Sequence, residues 1–274
     1  MENGRQTPSR NRINALLQRL GLPDDRYFAL LSKREGEKSP PCKRKSSLVA
    51  FSGNTAHGWE LHKQSRWQIT GEPDDHVTRQ FILRSKVILG KAEGQYSAEK
   101  QLQMLMEALR MTVPHFDLEE ISSGLYSFEE VKIINQIAGV YTNSDQNRKA
   151  IEILGQLEKY IRKHYQNILQ SAGLLPLISH NYARALAIGK RYEEAIEVAE
   201  SGRQSCISYG HYQFLPGILA IAAECYHFLG KDSASKKRYY QAYILYDALD
   251  EQDELENIAS EMKQYFNICV PIWV

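Results

Sequence analysis

Three adjacent carboxylate pairs, Glu119-Glu120, Glu129-Glu130 and Glu193-Glu194, are the first places to look for acid–base chemistry. Neighbours in sequence diverge around a helix, so the two members of such a pair cannot face one pocket together. They read as solvated faces or as first-turn charges that suit a helix N-terminus. Cys42, His57 and His62 lie in an unpatterned stretch without the spacing of a metal site. No Ser-His-Asp arrangement, Gly-rich phosphate loop or metal motif appears. No enzyme, cofactor or metal site is therefore expected. A different chemistry is open to Arg84, Asn135, His180, Arg184, Glu224 and His227. These recur at shared places relative to the small or β-branched positions Val87, Ala138, Ala183 and Ala223. Asn, His and Arg can hydrogen-bond the backbone of an extended peptide, or its carboxylate. Taken singly, each is an ordinary solvated polar residue; as a set on one face they outline a candidate groove.

The elements that would position this set repeat along the chain. NYARALAIGKRYEEAIEVAESG (181–202) carries Ala183 in mid-helix, a turn at Gly189-Lys190, then Tyr192, Ala195 and Gly202. IAAECYHFLGKDSASKKRYYQAY (221–243) places Ala223, Tyr226, Gly230, Ser235 and Ala242 correspondingly. INQIAGVYTNSDQNRKAIEILGQLEKY (134–160) offers Ala138, Tyr141, Ala150 and Leu157, and a weaker unit covers 86–109. Small residues let the two helices of a hairpin approach closely, and an aromatic closes the seam to the next hairpin. One hairpin cannot bury its own face, so stacking is obligatory. Glycines and prolines fall between periodic segments, as at Gly94, Pro114, Gly173, Gly210, Pro216 and Gly230, and strand-like alternation is scarce. The fold class is all-α. The units resemble the tetratricopeptide repeat, although the Trp of that template is missing and the units are longer than usual. A right-handed superhelix of helical hairpins over 78–268 is expected.

Composition excludes more than it assigns. A net charge of +1 provides no global field for nucleic acid or an anionic membrane. Four scattered cysteines without a C-x-x-C pair argue for reduced thiols, not a disulfide framework. No apolar run approaches the ~18 residues of a membrane span. The N-terminus lacks the apolar stretch of a secretory signal. A cytoplasmic protein without membrane contact is expected.

Residues 32–77 match neither neighbour. The segment carries Lys33, Arg34, Lys38, Lys43, Arg44, Lys45, Lys63 and Arg66, with Trp59 and Trp67 interleaved. A basic segment with aromatics can serve as a nucleic-acid arm. A disordered linker accounts for the same composition more simply, and a local reading-frame error would also leave such a stretch. It is assigned as a linker, disordered or aberrant.

Ahead of it, Thr7 can cap a helix and Pro8 suits its first turn. Ile13, Leu16, Leu17 and Leu20 then fall on one face, and Gly21 and Pro23 end the pattern. The stretch ENGRQTPSRNRINALLQRLGLP resembles the second half of a Cro/repressor-type helix-turn-helix domain. Glu2, Gly4, Pro8, Ile13, Leu16, Leu17, Leu20 and Gly21 match in order. Followed by tetratricopeptide-like hairpins, it resembles the Rgg/PlcR/PrgX group of peptide-sensing regulators of Gram-positive bacteria. TVPHFDLEEI (112–121), EEVKIINQIAGVY (129–141), GKRYEEAIEVAESG (189–202) and MKQYFNI (262–268) are similar to that group's helical domain.

The resemblance implies a partial helix-turn-helix domain over 1–31 and a repeat domain that binds a short peptide and forms a homodimer. It implies that base-reading side chains of the recognition helix are missing, as in a truncated or mis-started gene. Arg5, Gln6, Thr7, Ser9 and Arg10 are then available at most for phosphate contacts, which position a protein without reading sequence. The expected function is a transcriptional regulator with impaired DNA binding. The alternative is a helical-repeat interaction module with no DNA role.

Overall fold

The computed structural model describes residues 76–164 and 173–270, together with Ala15, Leu16 and Arg19. The chain divides into two compact units after Ser144. Among the described residues every extended element is helical, as the periodicity predicts.

In the first unit, α1 (His76–Ala92), α2 (Ala98–Arg110) and α3 (Phe128–Thr142) pack in succession. The weakest of the expected repeats, 86–109, is thus a hairpin. Gly94 turns it with φ +68, and the Tyr96 ring lies against Gly90, where an added Cβ would be 2.0 Å from the ring. Ser97 caps α2 by accepting from the Lys100 N–H. Ser127 and Glu130 form a reciprocal capping box at the start of α3. Val87, Leu105, Leu109, Val131, Ile134 and Ala138 are fully buried. Between α1 and α2, Gln80 donates to the Ala108 carbonyl at 3.0 Å and to the Thr112 hydroxyl at 2.6 Å.

Ala15, Leu16 and Arg19 are helical. Leu16, expected on an apolar face, is 47% exposed, whereas Ala15 is buried. The orientation follows from charge. Arg19, one turn after Ala15, forms a two-point ion pair with the buried Glu130 and donates to the Thr112 carbonyl at 3.1 Å. A desolvated carboxylate needs its partner more than one leucine needs cover.

The second unit holds α4 (Asn147–His164), α5 (Leu174–Ile188), α6 (Tyr192–Tyr209), α7 (Leu215–Phe228), α8 (Asp232–Ala248) and α9 (Gln252–Phe266). From α5 onward the connections are near-identical. Lys190, Gly210, Gly230 and Asp250, spaced twenty residues apart, all take left-handed φ values between 56 and 70. Each is followed by a residue whose N–H returns to a carbonyl five residues back, as from Arg191 to Leu186 and from Lys231 to Tyr226. This is the Schellman ending of a helix. At the Gly189-Lys190 turn, it is Lys190 that adopts the left-handed conformation. Gly189 is there for space: a Cβ would lie 3.1 Å from Ile151 and 3.2 Å from Asn147.

The small positions sit at helix crossings. Ala150, Ala183, Ala195, Ala223, Ser235 and Ala242 have no exposed surface. A Cβ on Gly202 would meet the Ser179 Cβ at 2.7 Å, so α5 and α6 touch backbone to side chain there. Ser235 donates to the Ala223 carbonyl at 2.7 Å, tying α8 to α7, and Asn147 donates to the Ala185 carbonyl at 2.7 Å, tying α4 to α5. The rings of Tyr192 and Phe228 stack at 5.1 Å.

Candidate peptide-binding face

Of the six groove candidates, Arg84 and Asn135 belong to the first unit and are buried there. Arg84, on α1, lies 3.4 Å from the Glu129 carboxylate at the start of α3, which also accepts from Lys132 at 2.8 Å. Its Nε is buried without a hydrogen-bond partner. Burial lowers the guanidinium pKa, and Glu129 opposes the change. This arrangement braces α1 on α3.

The other four stand on α5 and α7 of the second unit. His180 is half-buried on α5, with Nδ1 3.2 Å from the Asn181 side-chain oxygen. Its Nε2 reaches α7 at Gly217, where a Cβ would be only 2.7 Å away and 3.3 Å from the Tyr246 hydroxyl. Glycine at 217 leaves room for that imidazole. Burial pushes the His180 pKa down, so the ring is neutral at pH 7 and can accept or donate a hydrogen bond. Arg184, one turn on, is exposed. Its charge lowers the His180 pKa and that of Glu254 raises it, so α9 also contributes to this region.

Glu224 and His227 lie one turn apart on α7, both half-buried. The Glu224 carboxyl is raised by burial, against the opposing pull of His227. The His227 ring stacks on Tyr265 of α9 at 4.3 Å, and its Nδ1 is 3.3 Å from Asp232. The same corner gathers residues that sequence reasoning passed over. Glu261 on α9 has its pKa raised by burial first, against a hydrogen bond from the Tyr239 hydroxyl that lowers it, with Glu224 and Glu254 adding to the rise. Tyr239 on α8 is wholly buried, and burial, followed by the neighbouring Glu261 carboxylate, raises its hydroxyl pKa. Glu254, Ile258, Glu261 and Tyr265 follow the i, i+4, i+7, i+11 spacing of one helix face, and the turn at Asp250 falls in step with those at 190, 210 and 230. That rhythm was the available sign that α9 is the first helix of another unit.

The first helices of successive units, α5, α7 and α9, therefore present imidazole, guanidinium, carboxylate and aromatic groups together. These groups can donate hydrogen bonds to, or accept them from, a polar, extended ligand. Among the described residues no His, Cys, Asp and Glu cluster could hold a metal ion, and no helix is long and apolar enough to cross a membrane. Arg5, Gln6, Thr7, Ser9 and Arg10 lie outside the described residues, as does the segment 32–75.

No protein-family model and no curated protein matches the sequence. Solved structures do. The Bacillus thuringiensis regulator PlcR, in complex with the peptide PapR7 and DNA, matches with a TM-score of 0.71 at 16% identity, covering 94% of this chain and 86% of PlcR. Its apo form matches at 0.68 and 17% identity, covering 95% and 90%. Nearly identical TPR-like repeats of a putative kinesin light chain from Podosopora anserina match at 0.50 and 16% identity, covering 74% of this chain and 92% of theirs. The fold is that of PlcR and of TPR-like repeat proteins.

Proposed function

We propose that this protein is a transcriptional regulator whose helical repeats bind a short peptide across α5, α7 and α9. The observation that carries the reading is the polar face of His180, Arg184, Glu224 and His227, set on successive first helices of a fold shared with PlcR. PlcR has been seen with both a peptide and DNA. A neutral hydrogen bond contributes about 0.5–1.5 kcal/mol and a charge-assisted one ~1.5–3. Arg184, exposed and cationic, is the group best suited to a peptide carboxylate. Calorimetry with peptides encoded by short open reading frames beside the gene tests this. Arg184→Ala should weaken a cognate peptide by roughly tenfold or more while the fold is kept. Equal binding by parent and variant removes Arg184 from the site.

The DNA role is assigned to residues 1–31, with Arg5 and Arg10 on phosphates and Gln6, Thr7 and Ser9 beside them. Each lost phosphate contact reduces the steepness of the salt dependence by about one. Binding is expected to be impaired and without sequence preference, so shift assays over a salt series should give a shallower slope for Arg5→Ala and for Arg10→Ala on promoter and scrambled DNA alike. An unchanged slope in both variants rules out those contacts. The likeness to TPR-like repeats supports a second reading, a protein-interaction module. A folded partner retained on the α5–α7–α9 face, with no peptide or DNA binding, would decide for it.

A further inference from the structure

Two polar atoms from different helices converge on a residue that has no side chain. A Cβ on Gly217 of α7 would lie 2.7 Å from His180 Nε2 of α5 and 3.3 Å from the Tyr246 hydroxyl of α8. Among the described residues neither atom has a hydrogen-bond partner: the His180 ring makes its bond through Nδ1, to Asn181, and the Tyr246 hydroxyl makes none. Nothing on α7 competes for them. Phe214, at the cap position, offers no side-chain oxygen, and Pro216 has no N–H.

The contact with Asn181 fixes which proton the imidazole carries. The atom facing Nδ1 at 3.2 Å is the side-chain oxygen, and an amide oxygen only accepts. Nδ1 therefore holds the proton of the neutral ring, and Nε2 is left as a bare acceptor. Burial first, and the Arg184 charge in addition, oppose a second proton on the ring, against Asn181 and Glu254. The Tyr246 hydroxyl has the opposite polarity. Burial, followed by Glu254, raises its pKa, so it keeps its proton and can donate.

We propose that His180 and Tyr246 hold one residue of the bound peptide by its main chain, with His180 Nε2 accepting its N–H and the Tyr246 hydroxyl donating to its C=O. The proposal rests on the peptide-binding reading above and specifies how the ligand is gripped at one point. In an extended chain the N–H and C=O of one residue face the same side, as they do toward a neighbouring strand. An acceptor and a donor set side by side match that edge. Gly217 keeps the approach open, and any side chain there would displace the imidazole. A main-chain grip reads no side chain, so this position of the peptide tolerates every residue except proline, which has no N–H.

The test applies the full chain to an array of random heptapeptides. The most strongly retained peptide is resynthesised with each amide in turn replaced by an ester, which removes the N–H and keeps the shape. One ester should weaken binding to the parent chain about fivefold, and proline at that position should abolish it. The same ester should cost little on His180→Phe, which keeps a ring without the acceptor. His180→Gln, whose amide oxygen can take the place of Nε2, should regain the sensitivity. Gly217→Ala should behave as His180→Phe, and Tyr246→Phe should weaken the all-amide peptide several-fold, each with helicity by circular dichroism unchanged. An ester profile that is the same on the parent chain, His180→Phe and Gly217→Ala overturns the contact and leaves the peptide-binding reading standing. Retention of no peptide on the array overturns both.

Discussion

Gly202 offers a direct measurement of how closely α5 and α6 approach. A methyl group added there would start 2.7 Å from the Ser179 Cβ and 3.1 Å from the Ile218 terminal methyl. Carbon atoms rest about 3.5–4.0 Å apart, so the crossing must open by roughly 1 Å at its tightest point. Ser179 Cβ is fixed to the α5 backbone and no rotamer change removes it. Overpacking of this kind costs ~1–3 kcal/mol, and replacing glycine by alanine within a helix returns about 1. Gly202→Ala should therefore destabilise the second unit by roughly 1 kcal/mol net. Gly139 on α3 is the matched control, since a Cβ there meets nothing within 4 Å. Gly139→Ala should stabilise the first unit by ~0.5–1 kcal/mol through helix propensity alone. Hydrogen exchange read helix by helix separates the two units. Amides of α5 and α6 should exchange faster in Gly202→Ala, and those of α3 more slowly in Gly139→Ala. Stabilisation by both substitutions would refute the close approach at 202 and with it the role given to small residues at the hairpin crossings.

The cysteines should differ sharply in reactivity. Burial pushes the Cys206 thiol up to about 11 and that of Cys225 to about 12, whereas Cys269 is exposed. At pH 8, alkylation mapped by mass spectrometry should label Cys269 and leave Cys206 and Cys225 untouched until the chain unfolds. For Glu261 the folded carboxyl lies above its unfolded value, so the native state is penalised once the group ionises. That penalty is full above the raised pKa and disappears as pH falls below the unfolded value of about 4.3. Glu224, Glu254, Tyr239 and Tyr265 are the groups acting on it or facing it. Glu261→Gln should raise the urea midpoint at pH 7, and the gain should vanish near pH 4; an equal gain at both values would mean that ionisation is not its source.

Local chemistry, legible in the sequence, determined the helices and their hairpins. The 3.6-residue periodicity placed them, glycines and prolines placed their ends, and Ala138, Ala183, Ala195 and Ala223 announced the crossings where they are now fully buried. It also set His180, Arg184, Glu224 and His227 on first helices, because a residue's place on a helix follows from its register. Tertiary structure decided what each face meets. Leu16 turned outward because Arg19 pairs with Glu130, more than a hundred residues away. Arg84 was drawn into an ion pair with Glu129 on another helix. Lys190 took the left-handed turn because Gly189 was needed for its lack of a side chain against Ile151 and Asn147. The acidic corner of Glu224, Glu261 and Tyr239 is assembled from α7, α9 and α8, none of which carries the whole pattern. Periodicity reports how a helix is patterned along its own axis. Desolvation, steric approach and charge pairing depend on the neighbour, and the neighbour exists only once the hairpins have stacked.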